Sequence, residues 1–151
     1  MKKFLILVVV LLACYLYYGG WIGVHAPEAA GKATVAAASS SSDSVLADAF
    51  ANRRSDLQVS GEGTVTKLLP DDNKGSRHQK FIVRLASGQT LLVAHNIDVA
   101  PRIQSLRAGD RVQFAGEYEW SDRGGIIHWT HRTASGPHPG GWLKHGGRTY
   151  Q

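Results

Sequence analysis

Histidine supplies most of the reactive side chains in this chain: there are seven, against one cysteine and one methionine, and six of them fall between His78 and His145. An imidazole exchanges a proton near neutral pH and binds metal ions through a ring nitrogen. Three short stretches set histidines beside groups that could work with them: Arg77-His78-Gln79, Ala94-His95-Asn96-Ile97-Asp98 and His128-Trp129-Thr130-His131. A carboxylate can orient an imidazole acting as general base, and arginines can steady negative charge that develops in a transition state. In that combination His95 or His131 is the base and Asp98 its orienting partner, and the reaction class is hydrolysis of a phosphodiester. The leading reading asks less of the same residues: Arg77, His78, Asn96, Asp98, Arg102, His128 and His131 line a polar site that binds a ligand without turnover. The plainest reading is a structural or partner-binding protein whose polar residues staple its tail to the domain.

Spacing limits each of these roles. His95 alternates with Leu91 and Val93 and so shares their apolar face, which favours a core histidine with both ring nitrogens satisfied over a base or a metal ligand. His128 and His131 stand three apart and face opposite ways on a regular strand, so they chelate one ion only where the strand bends. Such a bend would let either of them join His138, His145 or Asp98, but the spacing matches no standard zinc motif. No metal ligand is assigned and no cofactor is named. Nucleic acid is a weakly supported partner, because Lys67, Lys74, Arg77, Lys80 and Arg84 are interspersed with Asp71 and Asp72, and Trp120 lies on an apolar face where it cannot stack on a base.

The elements that must position these residues are strands. From Gln58 onward apolar residues recur with a period of two. Strands are expected at Gln58 to Leu68, His78 to Ala86, Gln89 to Ile97, around Val112 to Trp120, and at Gly125 to His131, with Ser87-Gly88 and Ser121-Asp122-Arg123-Gly124 as hairpin turns. Gly61 and Gly63 point to a bent first strand with close backbone approach. Five strands with a non-strand connection between the third and fourth indicate an all-β fold, a small OB-like Greek-key barrel covering residues 57–151. Its tail after His131 is too rich in Gly and Pro for much regular structure, yet Trp142, Leu143 and Tyr150 are costly to expose, so it is expected to dock on the barrel with His138 and His145.

Ahead of the barrel, residues 43–56 are expected to form a short helix with Val45, Leu46, Ala49 and Phe50 as its apolar stripe, and residues 25–42 a flexible Ala/Ser-rich linker. Residues 1–24 hold a run from Phe4 to Val24 with no charge over 21 positions, enough to span a hydrocarbon core of about 30 Å. Lys2 and Lys3 precede it and Tyr15, Tyr17, Tyr18 and Trp21 cluster toward its far end, the signature of a single-pass inner-membrane anchor that places the remainder in the periplasm or outside the cell. A cleaved signal peptide and a lipoprotein signal at Cys14 are the competing readings, disfavoured by Pro27 and by the apolar run continuing past the cysteine. That lone cysteine also excludes an intramolecular disulfide. Net charge is +5, two of those charges being Lys2 and Lys3, so the domain is only mildly basic.

Several runs together carry a family resemblance: Arg77-His78-Gln79-Lys80-Phe81, Leu91-Leu92-Val93-Ala94-His95-Asn96-Ile97-Asp98-Val99-Ala100-Pro101-Arg102-Ile103, Gly116-Glu117-Tyr118-Glu119, His128-Trp129-Thr130-His131, and the closing Gly141-Trp142 and Tyr150-Gln151. They resemble the bacterial family DUF3465 over about Gln58 to Gln151. The resemblance implies a unit with those boundaries and carries no activity with it.

Overall fold

Alternation in the sequence becomes register in the sheet. The computed structural model describes residues 30–133 and 138–151. The expected anchor at 1–24 lies outside them, and no described helix is long and apolar enough to cross a membrane. Among the described residues seven strands follow one helix: α1 (Ala30–Ala51), β1 (Leu57–Leu68), β2 (His78–Arg84), β3 (Thr90–Asn96), β4 (Arg111–Glu119), β5 (Ile126–His128), β6 (Trp142–His145) and β7 (Arg148–Tyr150).

The first five strands close on themselves. Antiparallel ladders join β1 to β2, β2 to β3 and β4 to β5; β3 and β5 run parallel, and β1 returns to β4 antiparallel from Leu57↔Tyr118 to Thr64↔Arg111. β1 can serve both neighbours because it bends. Its ladder to β2 slips between Val65 and Lys67, and Gly61 and Gly63 lie where a side chain would strike the Phe114 ring and Val83 respectively. Inside, Val65, Phe81, Val83, Leu91, Val93, Val112, Phe114, Tyr118 and Ile127 form the core.

Both ends of the barrel are plugged. At the end where β2 finishes, α1 contributes Leu46 and Ala49 to the core, Asp43 accepts the Ser87 N–H at 2.8 Å, and the Trp120 indole donates to the Phe50 carbonyl at 3.1 Å. At the end where β2 begins, the segment between β3 and β4 inserts Ile103 and Leu106. Gln79 clamps it there: its amide exchanges two buried hydrogen bonds with the Ile103 backbone, at 2.9 and 3.0 Å. A glutamine that looks poised for chemistry is therefore a structural fastener.

Two expectations about the flanks need correction. Residues 30–42, read as a flexible linker, continue the helix, because alanine has the highest helix propensity and no proline interrupts the run. The helix also stops at Ala51 and not at 56, since Arg53 takes a left-handed conformation (φ 52°) and the Arg54 N–H closes on the Ala49 carbonyl at 2.9 Å, a Schellman ending. The tail is the other departure. It docks as its apolar residues require, but as a regular hairpin: Gly146 and Gly147, both at positive φ, join β6 to β7, and β6 pairs with β4 through Gln113↔Lys144 to Ala115↔Trp142. Leu143 and Tyr150 thereby join the core.

Candidate functional site

β5 is three residues long because Trp129 leaves the extended region for φ 53°, where no ladder can continue. The expected strand to His131 therefore ends at His128. The bend changes what the three-residue spacing of His128 and His131 means, since both now line one cleft together with Ser76, His78, Ala94, Asn96 and Trp129. His78 opens β2 directly across from Asn96, which closes β3, so the floor is a cross-strand pair and the wall is the turn after β5. The cleft has a volume of about 240 Å³. That is below the roughly 300–1,000 Å³ of pockets that enclose a drug-sized molecule, so it admits a small group or the end of a larger one.

Hydrogen bonds fix what each lining residue offers. Nδ1 of His78 lies 2.8 Å from the Ser76 carbonyl and Nδ1 of His131 lies 2.9 Å from the Arg132 carbonyl. Because a carbonyl only accepts, both Nδ1 atoms carry a proton, and the tautomer this selects has its lone pair at Nε2. Asn96 accepts the Asp98 N–H at Oδ1 (2.9 Å), which leaves its amide NH2 as a donor.

Behind the wall, Glu117 joins two histidines. Its Oε2 accepts from His138 Nδ1 at 2.9 Å, while its Oε1 lies 3.4 Å from Nε2 of His128, a nitrogen shielded from solvent that makes no hydrogen bond. The Trp129 indole stacks on His138 with centroids 4.1 Å apart and planes 16° from parallel. One face of Trp129 is thus spent on holding the chain after β5 against the barrel.

The remaining candidates do not enter the cleft. His95 is fully buried, with Nε2 donating to the Pro101 carbonyl at 3.1 Å, so Nδ1 accepts the Thr130 hydroxyl at 2.8 Å. Burial holds its pKa below the usual 6.5, keeping it neutral. Asp98 spends both oxygens on Arg77, one on the backbone N–H (2.7 Å) and one on Nε (2.6 Å); these bonds hold the carboxyl below its usual range. Arg102 is ion-paired with Asp71. A catalytic set of His95 or His131 oriented by Asp98 is therefore not assembled, and both arginines are engaged by carboxylates.

Four of the seven proposed ligand-site residues, His78, Asn96, His128 and His131, do come together. Ser76, Ala94 and Trp129 join them without having been expected as lining residues. Trp129 lies within the His-Trp-Thr-His stretch, but its role depends on a backbone bend that composition does not announce. Among the described residues no group of three or more His, Cys, Asp or Glu side chains is arranged to hold a metal ion.

A family model matches residues 30–151. The matched unit begins well before the span from about Gln58 that carries the motif resemblance, because it takes in α1, whose Leu46 and Ala49 belong to the core. No curated protein matches the chain. The matching model is that of DUF3465, described as a protein of unknown function, and it covers most of the sequence: the chain belongs to that family.

Proposed function

We propose that this protein is a membrane-anchored binding module whose barrel, of the OB type, holds a small polar ligand in the cleft between the start of β2, the end of β3 and the turn after β5. The observation that carries the reading is the convergence of His78, Asn96, His128, Trp129 and His131 on that cleft. The strand order β1-β2-β3-β5-β4 with a return to β1 supports the OB assignment, as does the parallel β3–β5 pair. Barrels of this kind place ligands on the face of strands 2 and 3 and the adjoining loops, which is where the cleft lies. Two imidazole lone pairs and an amide NH2 suit a partner that both donates and accepts hydrogen bonds.

The test is a nuclear magnetic resonance titration of the full chain in detergent with a panel of small polar compounds. Shifts gathered at His78, Asn96, Trp129 and His131 are expected, with weakening in Asn96→Ala. Binding that moves only residues elsewhere sinks the reading. For the anchor, the support is the uncharged run from Phe4 to Val24 behind Lys2 and Lys3. A reporter active only outside the cytoplasm, fused after Gln151, should be active and stay with the membrane under alkaline extraction; release into the supernatant refutes the anchor.

A further inference from the structure

His78 and His131 reach the cleft from separate elements, yet each ring is tied back in the same manner, with Nδ1 on a backbone carbonyl. Among the described residues no protein hydrogen bond occupies either Nε2. The other described histidines differ: His95 has both nitrogens engaged, His138 spends Nδ1 on Glu117, His145 spends Nε2 on Asp110, and His128, though its Nε2 makes no hydrogen bond, holds that nitrogen 3.4 Å from the Glu117 carboxylate and shielded from solvent. An imidazole whose one N–H is held by an oxygen acceptor while the other nitrogen is free is the form in which proteins present histidine to transition metals, because the outer bond fixes both tautomer and ring direction.

We propose that the cleft takes a divalent transition metal on Nε2 of His78 and Nε2 of His131. This inference rests on the cleft being the binding site. Two imidazoles select zinc, copper or nickel over magnesium or calcium, which take oxygen ligands. His128 also lines the cleft but its Nε2 lies against Glu117, and among the described residues no three His, Cys, Asp or Glu side chains are arranged around one ion, so the metal keeps coordination positions open to water or to a ligand atom. It is thus an exchangeable site facing the cleft, unlike the closed four-ligand sites that hold small domains together. Asn96, with its NH2 directed by the Asp98 bond, would hydrogen-bond a ligand held on the metal.

The experiment uses the full chain in detergent, free of any histidine tag and stripped with a chelator, titrated with Co2+ and with Zn2+. One equivalent should bind, seen in the cobalt visible absorption, with the Nε2 resonances of His78 and His131 shifting under Zn2+. His78→Gln and His131→Gln should each weaken binding at least tenfold, while His145→Gln should not. Both glutamines are partly exposed replacements, and circular dichroism confirms that each variant is folded. Binding no stronger than that of Mg2+, or equally strong in His78→Gln and His131→Gln, overturns the proposal. If small polar compounds still perturb the cleft residues in that case, the metal is refuted and the binding reading stands; if they do not, both fall.

Discussion

Removing the His95 ring would strand the Pro101 carbonyl and the Thr130 hydroxyl inside the barrel and leave a cavity. His95→Ala should therefore cost about 2–4 kcal/mol, read from urea unfolding. The same residue sets a pH dependence. Its folded pKa lies below the unfolded 6.5, so as pH falls through that value the unfolded chain takes up a proton that the folded chain refuses, and stability declines. Asp72, Asp98 and Asp110, held below 3.8 chiefly by backbone N–H bonds, add a second loss only at still lower pH. In His95→Gln the decline just below pH 6.5 should flatten while the more acidic one persists; an unchanged profile would show that another group is responsible. The interior place of His95 was legible from its alternation with Leu91 and Val93. The pairing of Asp98 with Arg77 was not, because it depends on the exact β2–β3 register that sets His78 across from Asn96, nor was that of Arg102 with Asp71, which joins two loops distant in sequence.

At the scale of elements, the cleft depends on how closely β4 and β5 approach. Gly116 faces the His128 carbonyl so tightly that a methyl group there has no room. Gly116→Ala should cost about 1–3 kcal/mol by forcing the two strands apart, and should move the His128 and Trp129 resonances in the folded remainder. The first four strands were readable from period-two alternation to within a residue or two; the end of β5 is dictated by the conformation of Trp129 and not by its neighbours' polarity, and β6 and β7 were missed because they are three or four residues long in a Gly-rich tail. α1 was readable in position but not in extent, since an Ala/Ser run suits both a spacer and a helix. Its buried stripe makes it part of the domain, and Leu46→Ala should destabilise the barrel by about 2–4 kcal/mol, measured by thermal or urea unfolding. A loss of less than a tenth of that would make α1 an appendage.

For the molecule as a whole, the C-terminal hairpin is a structural member. Leu143 is fully buried and β6 covers the first half of a β4 edge whose second half belongs to β5. Deleting residues 142–151 should broaden or abolish the cooperative unfolding transition seen by circular dichroism, whereas a sharp transition at unchanged midpoint would show the barrel complete without it. β4 is also the strand on which order of assembly turns. It meets β1 on one side and both β5 and β6 on the other, partners drawn from as early as Leu57 and as late as His145. During synthesis, the first partners would wait beside an unfinished seam until residues 142–145 emerge, with Phe114 and Tyr118 incompletely covered. A nascent chain stalled before those residues would thus be a substrate for chaperones, and the hairpin's arrival would mark the moment at which the domain becomes able to hold itself together.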